Sequence, residues 1–133
     1  MIESLTVKSR ATEEFIDITA QVQDIVSRSR TGEGICVIYT PHTTAAITIN
    51  ENADPAVQKD ILKGLRHLKF DQVDFSHAEG NSHAHIKSSL IGCSETVILD
   101  NGRLNLGTWQ GIYFCEFDGP RTRTVLVTIL SQT

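Results

Sequence analysis

A chain of 133 residues, 40% hydrophobic and 21% charged, can close one hydrophobic core and has no length left for a second, so one soluble domain over residues 1–133 is expected. With 12 Lys and Arg against 16 Asp and Glu, the net charge of -4 lacks the positive field that non-specific nucleic-acid binding draws on, so no nucleic-acid partner is expected. The longest strongly apolar run, near Val125 to Leu130, is too short for a bilayer, Met1–Lys8 carries an early acid unlike an export signal, and three cysteines without C-x-x-C spacing suit a reducing cytoplasm.

In chain order, Leu5 and Val7, then Phe15, Ile16 and Ile18, mark two short strands expected to pair with each other. Thr19 is positioned to cap a helix over Ala20 to Arg28, where Val22, Ile25 and Val26 recur at helical spacing and Gly32 and Gly34 end it. Ile35 to Tyr39 is apolar at every position, as in a central strand covered on both faces, and Pro41 stops it just before His42. Ala45 to Glu51 resumes as a strand, with Ile47, Ile49 and Glu51 on one face and Ala46, Thr48 and Asn50 on the other.

Asp54-Pro55 starts a second helix, because an Asp side chain accepts orphan N–H groups and proline is preorganised at the first helical position. Its apolar stripe is Val57, Ile61, Leu65 and Leu68. Phe70 to Ser82 is polar and turn-rich, and His83 to Leu90 reads as a short helix closed by Gly92. A strand over Thr96 to Leu99, a turn at Asp100-Asn101-Gly102 and a restart at Arg103-Leu104 follow. Ile112 to Phe117 and Thr124 to Leu130 are read as a hairpin joined through Asp118-Gly119-Pro120.

His42, His77 and His85 supply the three protein ligands that a catalytic zinc takes, so a divalent metal, zinc above others, is the expected cofactor. On a helix His83 stands about 200° from His85, and His85 is preferred because Asn81, Ser88 and Ser89 share its side. Glu51 is a candidate general base, Asn81 and the Thr108 hydroxyl and Gln110 amide are candidate catalytic polar groups, and Lys87, Arg121 and Arg123 offer charge to an anionic substrate. Cys36 and Cys115 sit in apolar strands as small core residues.

Pro41-His42-Thr43-Thr44-Ala45, Ile49-Asn50-Glu51-Asn52-Ala53-Asp54-Pro55, Asn81 followed by His85-Ile86-Lys87-Ser88-Ser89-Leu90, and Gly107-Thr108-Trp109-Gln110-Gly111 together resemble the YjbQ-like family, also labelled secondary thiamine-phosphate synthase. The resemblance spans nearly the whole chain in the same order. It implies an α+β fold, a largely antiparallel layered sheet with two or three helices, assembled as a homotrimer around a histidine-containing, often metal-bearing site. His42, Glu51, His77, Asn81, His85, Thr108 and Gln110 fall on the family's polar pattern. The implied activity is weak thiamine-phosphate synthesis, joining a pyrimidine diphosphate to a thiazole phosphate with release of pyrophosphate. Lys87 and Arg121 would then bind the small phosphorylated substrate. A metal-dependent hydrolase and a noncatalytic trimeric metal- or metabolite-binding protein are the alternatives.

Overall fold

The computed structural model describes residues 1–132. Eight strands and three α-helices build an α+β sandwich: β1 (Ile2–Lys8), β2 (Glu14–Asp17), α1 (Thr19–Ser29), β3 (Gly34–Tyr39), β4 (Ala45–Glu51), α2 (Pro55–Arg66), α3 (Ser82–Ile91), β5 (Ser94–Asp100), β6 (Arg103–Leu104), β7 (Gln110–Glu116) and β8 (Thr122–Ser131). A five-stranded sheet has the order β1-β8-β3-β5-β6, a three-stranded sheet the order β2-β7-β4, and every pairing is antiparallel. Among the described residues no helix is long and apolar enough to cross a membrane.

Alternation sorts the side chains into two cores. Val125 and Val127 of β8, Cys36 and Ile38 of β3, Ile47 of β4 and Phe114 of β7 meet Val22, Ile25 and Val26 of α1 between the sheets. Ala46, Tyr113, Cys115 and Phe117 face the other way, toward Leu62 and Leu65 of α2 and Ala84 of α3. Thus β7 is buried on both faces.

Several expected features take another form. The first two strands do not pair: β1 joins β8 and β2 joins β7, because the chain changes sheets between them and the buried Ser9 bonds across to Arg121. The expected final hairpin is also absent, since β7 and β8 belong to different sheets and residues 117–121 carry the chain across. Thr19 is the first helical residue of α1, with Ile18 at the cap; its hydroxyl donates to Asp17 and accepts the Ile112 N–H. That helix ends before the glycines, at Arg30 in the left-handed region.

On β3 only Cys36 and Ile38 are buried, leaving its other face, Ile35, Val37 and Tyr39, half-buried to exposed instead of covered. Asp54 caps α2 as expected, its Oδ1 accepting the Ala56 N–H at 2.9 Å. The α2 stripe is shorter than expected, with Leu68 beyond the helix and exposed.

Candidate functional site

The chain changes sheets beside one end of the sandwich, and this is where polar side chains collect. Pro41 ends the extended run, so His42 leaves the exit of β3 and reaches the start of β8, where the Thr124 N–H donates to its Nε2 at 2.9 Å. Thr40 ties the same turn down, its N–H donating to Cys93 O and its hydroxyl to Thr124 O. His42, His77, Glu79, Asn81, His85, Arg121 and Arg123 line an open cleft of about 350 Å³. The three histidines singled out by sequence therefore share one cleft.

A backbone N–H can only donate, so His42 Nε2 holds a lone pair and the ring proton sits on Nδ1. Burial first, then the nearby Arg123 charge and to a lesser degree Arg121, lower the His42 pKa below its ordinary 6.5, against an opposing pull from Glu116. His42 should accordingly titrate below 6.5 in a histidine NMR titration, with its Nδ1–H tautomer visible above that point; titration at or above 6.5 contradicts this arrangement.

Beneath the cleft lies an ion pair that crosses between the sheets. Arg123, 4% exposed, holds the fully buried Glu116 carboxylate through Nε and Nη2, and its Nη2 also donates to Thr44 Oγ1. Burial alone would raise the Glu116 carboxyl, but Arg123, the Ser9 hydroxyl and the Asp118 N–H outweigh it and hold it below the usual carboxylate range. Arg123 Nη1 makes no hydrogen bond among the described residues and belongs to a side chain lining the cleft.

Asn81 stands at the N-cap of α3 without capping it. Its Nδ2 donates instead to Asp118 Oδ2 at 2.8 Å, and the same carboxylate oxygen receives Arg121 Nη2 at 3.0 Å. That partner fixes the amide orientation, since a flip would set oxygen against oxygen. Asn81 Oδ1 is left buried without a hydrogen-bond partner among the described residues. A buried acceptor of this kind is open to an ordered water, a ligand donor or a cation.

The His77 and His85 rings lie edge to face with centres 5.3 Å apart. Two imidazoles on one tetrahedral ion, each about 2.1 Å from it, have ring centres roughly 5 Å apart, so this spacing suits a shared metal. Among the described residues no group of three His, Cys, Asp or Glu stands in a ligating arrangement. His77 and His85 are the pair whose spacing fits, and Asn81, whose Oδ1 is unpaired, lines the same cleft. His42 would have to release Thr124 before ligating through Nε2.

Other candidates are set apart from this cleft. Glu51 is at the far end of β4, in register with Gln110 of β7, and Thr108 lies in the exposed turn before it. Along a strand this puts them roughly 20 Å from the Thr44 end of the sandwich within one chain. Gln110 Oε1 accepts the Gly107 N–H, closing its own turn. Lys87 is buried against Glu13 and lines a neighbouring cleft. Arg121 lines the histidine cleft. Burial raises the Cys36 thiol to about 11 and the Cys115 thiol further, consistent with core roles and not nucleophilic ones.

Glu116 and Asp118 were not identified from sequence as site-forming. The available signal was an acid inside the apolar run Tyr113-Phe114-Cys115-Glu116-Phe117 and a basic residue, Arg123, at the entry to the next apolar strand.

Fold and cleft together define a small α+β sandwich protein with a histidine- and arginine-lined polar cleft at one end. A family model described as UPF0047 protein YjbQ-like matches residues 3–132, and the chain belongs to this family. A UPF0047 protein of Methanocaldococcus jannaschii is 54% identical over 132 residues, covering 99% of this chain and 96% of that protein. YugU of Bacillus subtilis is 51% identical over 136 residues, covering 98% and 99%. The crystal structure of an uncharacterized YjbQ/UPF0047 protein from Clostridium acetobutylicum superposes with a TM-score of 0.93 at 53% identity, covering 96% of this chain and 99% of that one.

Proposed function

We propose that the protein is an enzyme acting on a small phosphorylated substrate in the histidine cleft, with a divalent metal, zinc above others, held by His77 and His85 and completed by Asn81 Oδ1. The observation that carries this reading is the orphaned Asn81 oxygen beside two imidazoles at ligand-like spacing. When bound, the metal supplies Lewis-acid polarisation of a phosphate oxygen or activation of water. Arg121 and the free Nη1 of Arg123 neutralise phosphate charge, and the Arg123 guanidinium is held in place by Glu116. His42 presents an Nδ1–H donor, and Glu79 offers a carboxylate on the same cleft.

The family resemblance gives the reaction we favour: thiamine-phosphate synthesis from a pyrimidine diphosphate and a thiazole phosphate, with pyrophosphate leaving against Arg121. Within one chain Glu51 is too far away to act as the base here, and it takes part only if assembly brings a second copy's strand end to the cleft. We propose a homotrimer on that account and because the outer face of the five-stranded sheet exposes Ile98 and Leu130, both paired in register with Ile35. A cytoplasmic location fits its three free cysteines.

Metal analysis of purified protein, with pyrophosphate release assayed in parallel, tests the reading. His77→Ala and His85→Ala should each lower metal affinity at least about tenfold and abolish turnover in proportion. Full metal content and unchanged turnover in both variants would remove this mechanism, whereas metal binding without turnover in the wild type leaves the binding-protein alternative.

A further inference from the structure

His77 lines a second cleft as well, of about 510 Å³, between the end of α2, the 70–80 segment and the start of α3. This volume is that of a small-molecule site. Lys87 reaches into it from α3 although only 4% exposed, and its ammonium is bonded to the Glu13 carboxylate. Arg66 Nε donates to the other oxygen of the same carboxylate at 2.8 Å. Two permanent cations therefore share one anion.

Their remaining donors are unused: Glu13 is the only side-chain partner of Lys87, and neither Nη of Arg66 makes a hydrogen bond, among the described residues. A buried ammonium with spare N–H groups facing a cleft is an anion-recognition element, because each unmet donor raises the cost of keeping the charge out of water. The same lining carries apolar side chains: Phe70 is half-buried, and Val73 and Phe75 are exposed to solvent. Cationic donors and phenyl rings lining one cleft suit a flat apolar body carrying an anionic group.

We propose that this second cleft is a binding site for an aryl or heteroaryl phosphate, adjoining the histidine cleft at His77 so that two anionic molecules, or the two anionic ends of one, meet at the same imidazole. This deepens the phosphorylated-substrate reading of the first cleft. Its test measures binding without metal or turnover, so the two readings fail separately.

Phenyl phosphate and inorganic phosphate are titrated into the metal-free full chain, with affinity taken from calorimetry and location from the histidine NMR signals. Phenyl phosphate should bind at least about fivefold more tightly than inorganic phosphate, reflecting ring contact with Phe70 and Phe75, and should shift the His83 and His77 signals. Lys87→Met should weaken it roughly tenfold or more. Arg66→Gln, at an exposed side chain that leaves the Lys87–Glu13 pair intact, should weaken it severalfold and decides the matter if Lys87→Met does not fold. Equal affinity for the two anions, shifts confined to His42 and His85, or phenyl phosphate binding untouched by Arg66→Gln would overturn the proposal. Single-site binding of phenyl diphosphate that shifts His83 and His85 together would support it and identify one molecule spanning both clefts.

Discussion

Replacing Glu116 with alanine is expected to cost the fold about 3–5 kcal/mol, measured by urea denaturation, because it leaves the Arg123 guanidinium buried without its counter-charge. Glu116 is fully buried and accepts from Arg123 twice, from Ser9 Oγ at 2.7 Å and from the Asp118 N–H at 3.0 Å. Those bonds tie β7 to β8 and to the end of β1 across the gap between the sheets, so their loss loosens the floor of the histidine cleft. Replacing both partners with apolar residues of similar size, Glu116→Leu with Arg123→Met, should recover much of the stability, since neither charge then needs desolvating. It should not recover anion binding, because the free Nη1 is gone.

The same group sets an acid limit. The Glu116 carboxyl is held below its ordinary 4.5, so as pH falls the unfolded chain takes up the proton first. The stabilisation is whole above that ordinary value and is lost as pH drops through the lower folded value. His42, also lowered, adds to the loss in the same direction from its ordinary 6.5 downward. Glu116→Gln should flatten the part of the acid limb below 4.5; an acid limb identical to wild type, or a Glu116→Ala variant of wild-type stability, would show that the ion pair carries no such weight.

Local chemistry was legible in the sequence wherever one segment decided its own structure. The Asp54-Pro55 start of α2 depends on a side chain two residues from its acceptor N–H, and the spacing of Val22, Ile25 and Val26 identifies the buried face of α1. His42 at a strand exit, and His77 and His85 flanking Asn81, line one cleft, although among the described residues the three imidazoles do not form the three-ligand group that the pattern suggested. What failed was partner choice between strands. Alternation says that β1, β2, β7 and β8 each have a buried face, but it does not say which sheet each joins, and a connection short enough for a hairpin serves equally to cross a sandwich. Distance misled for the same reason: Thr44 and Glu51 belong to continuous motifs of the family pattern, yet a strand carries its two ends apart at about 3.3 Å per residue. Lys87 was read as facing substrate, and it does line a cleft, but the neighbouring one, because the half-buried Glu13 draws it to that side of α3.

If the proposed homotrimer uses the outer face of the five-stranded sheet, an aspartate placed there should break the assembly while sparing the single chain. Ile98 and Leu130 are 63% and 57% exposed in one chain, so Ile98→Asp or Leu130→Asp creates no cavity in it. Both side chains pair in register with Ile35; the next row on this face sets Val37 between Thr96 and Thr128, and the row beyond joins Tyr39 to Leu126, so a strip of apolar side chains interrupted by threonines crosses β5, β3 and β8. Burying an unpaired carboxylate in such a strip costs at least about 3 kcal/mol per subunit, repeated by symmetry at every interface. Light scattering coupled to gel filtration should give three chain masses for the wild type and one for each variant, with circular dichroism unchanged. A wild type of one chain mass, or variants that stay at three, would rule this face out. Tyr39 and Leu126 adjoin the turn that carries His42 and the Thr124 N–H that holds it, so the strip runs up to the rim of the histidine cleft. Loss of the trimer should therefore remove one wall of that cleft, and turnover should fall along with the assembled mass even though no cleft residue has been changed.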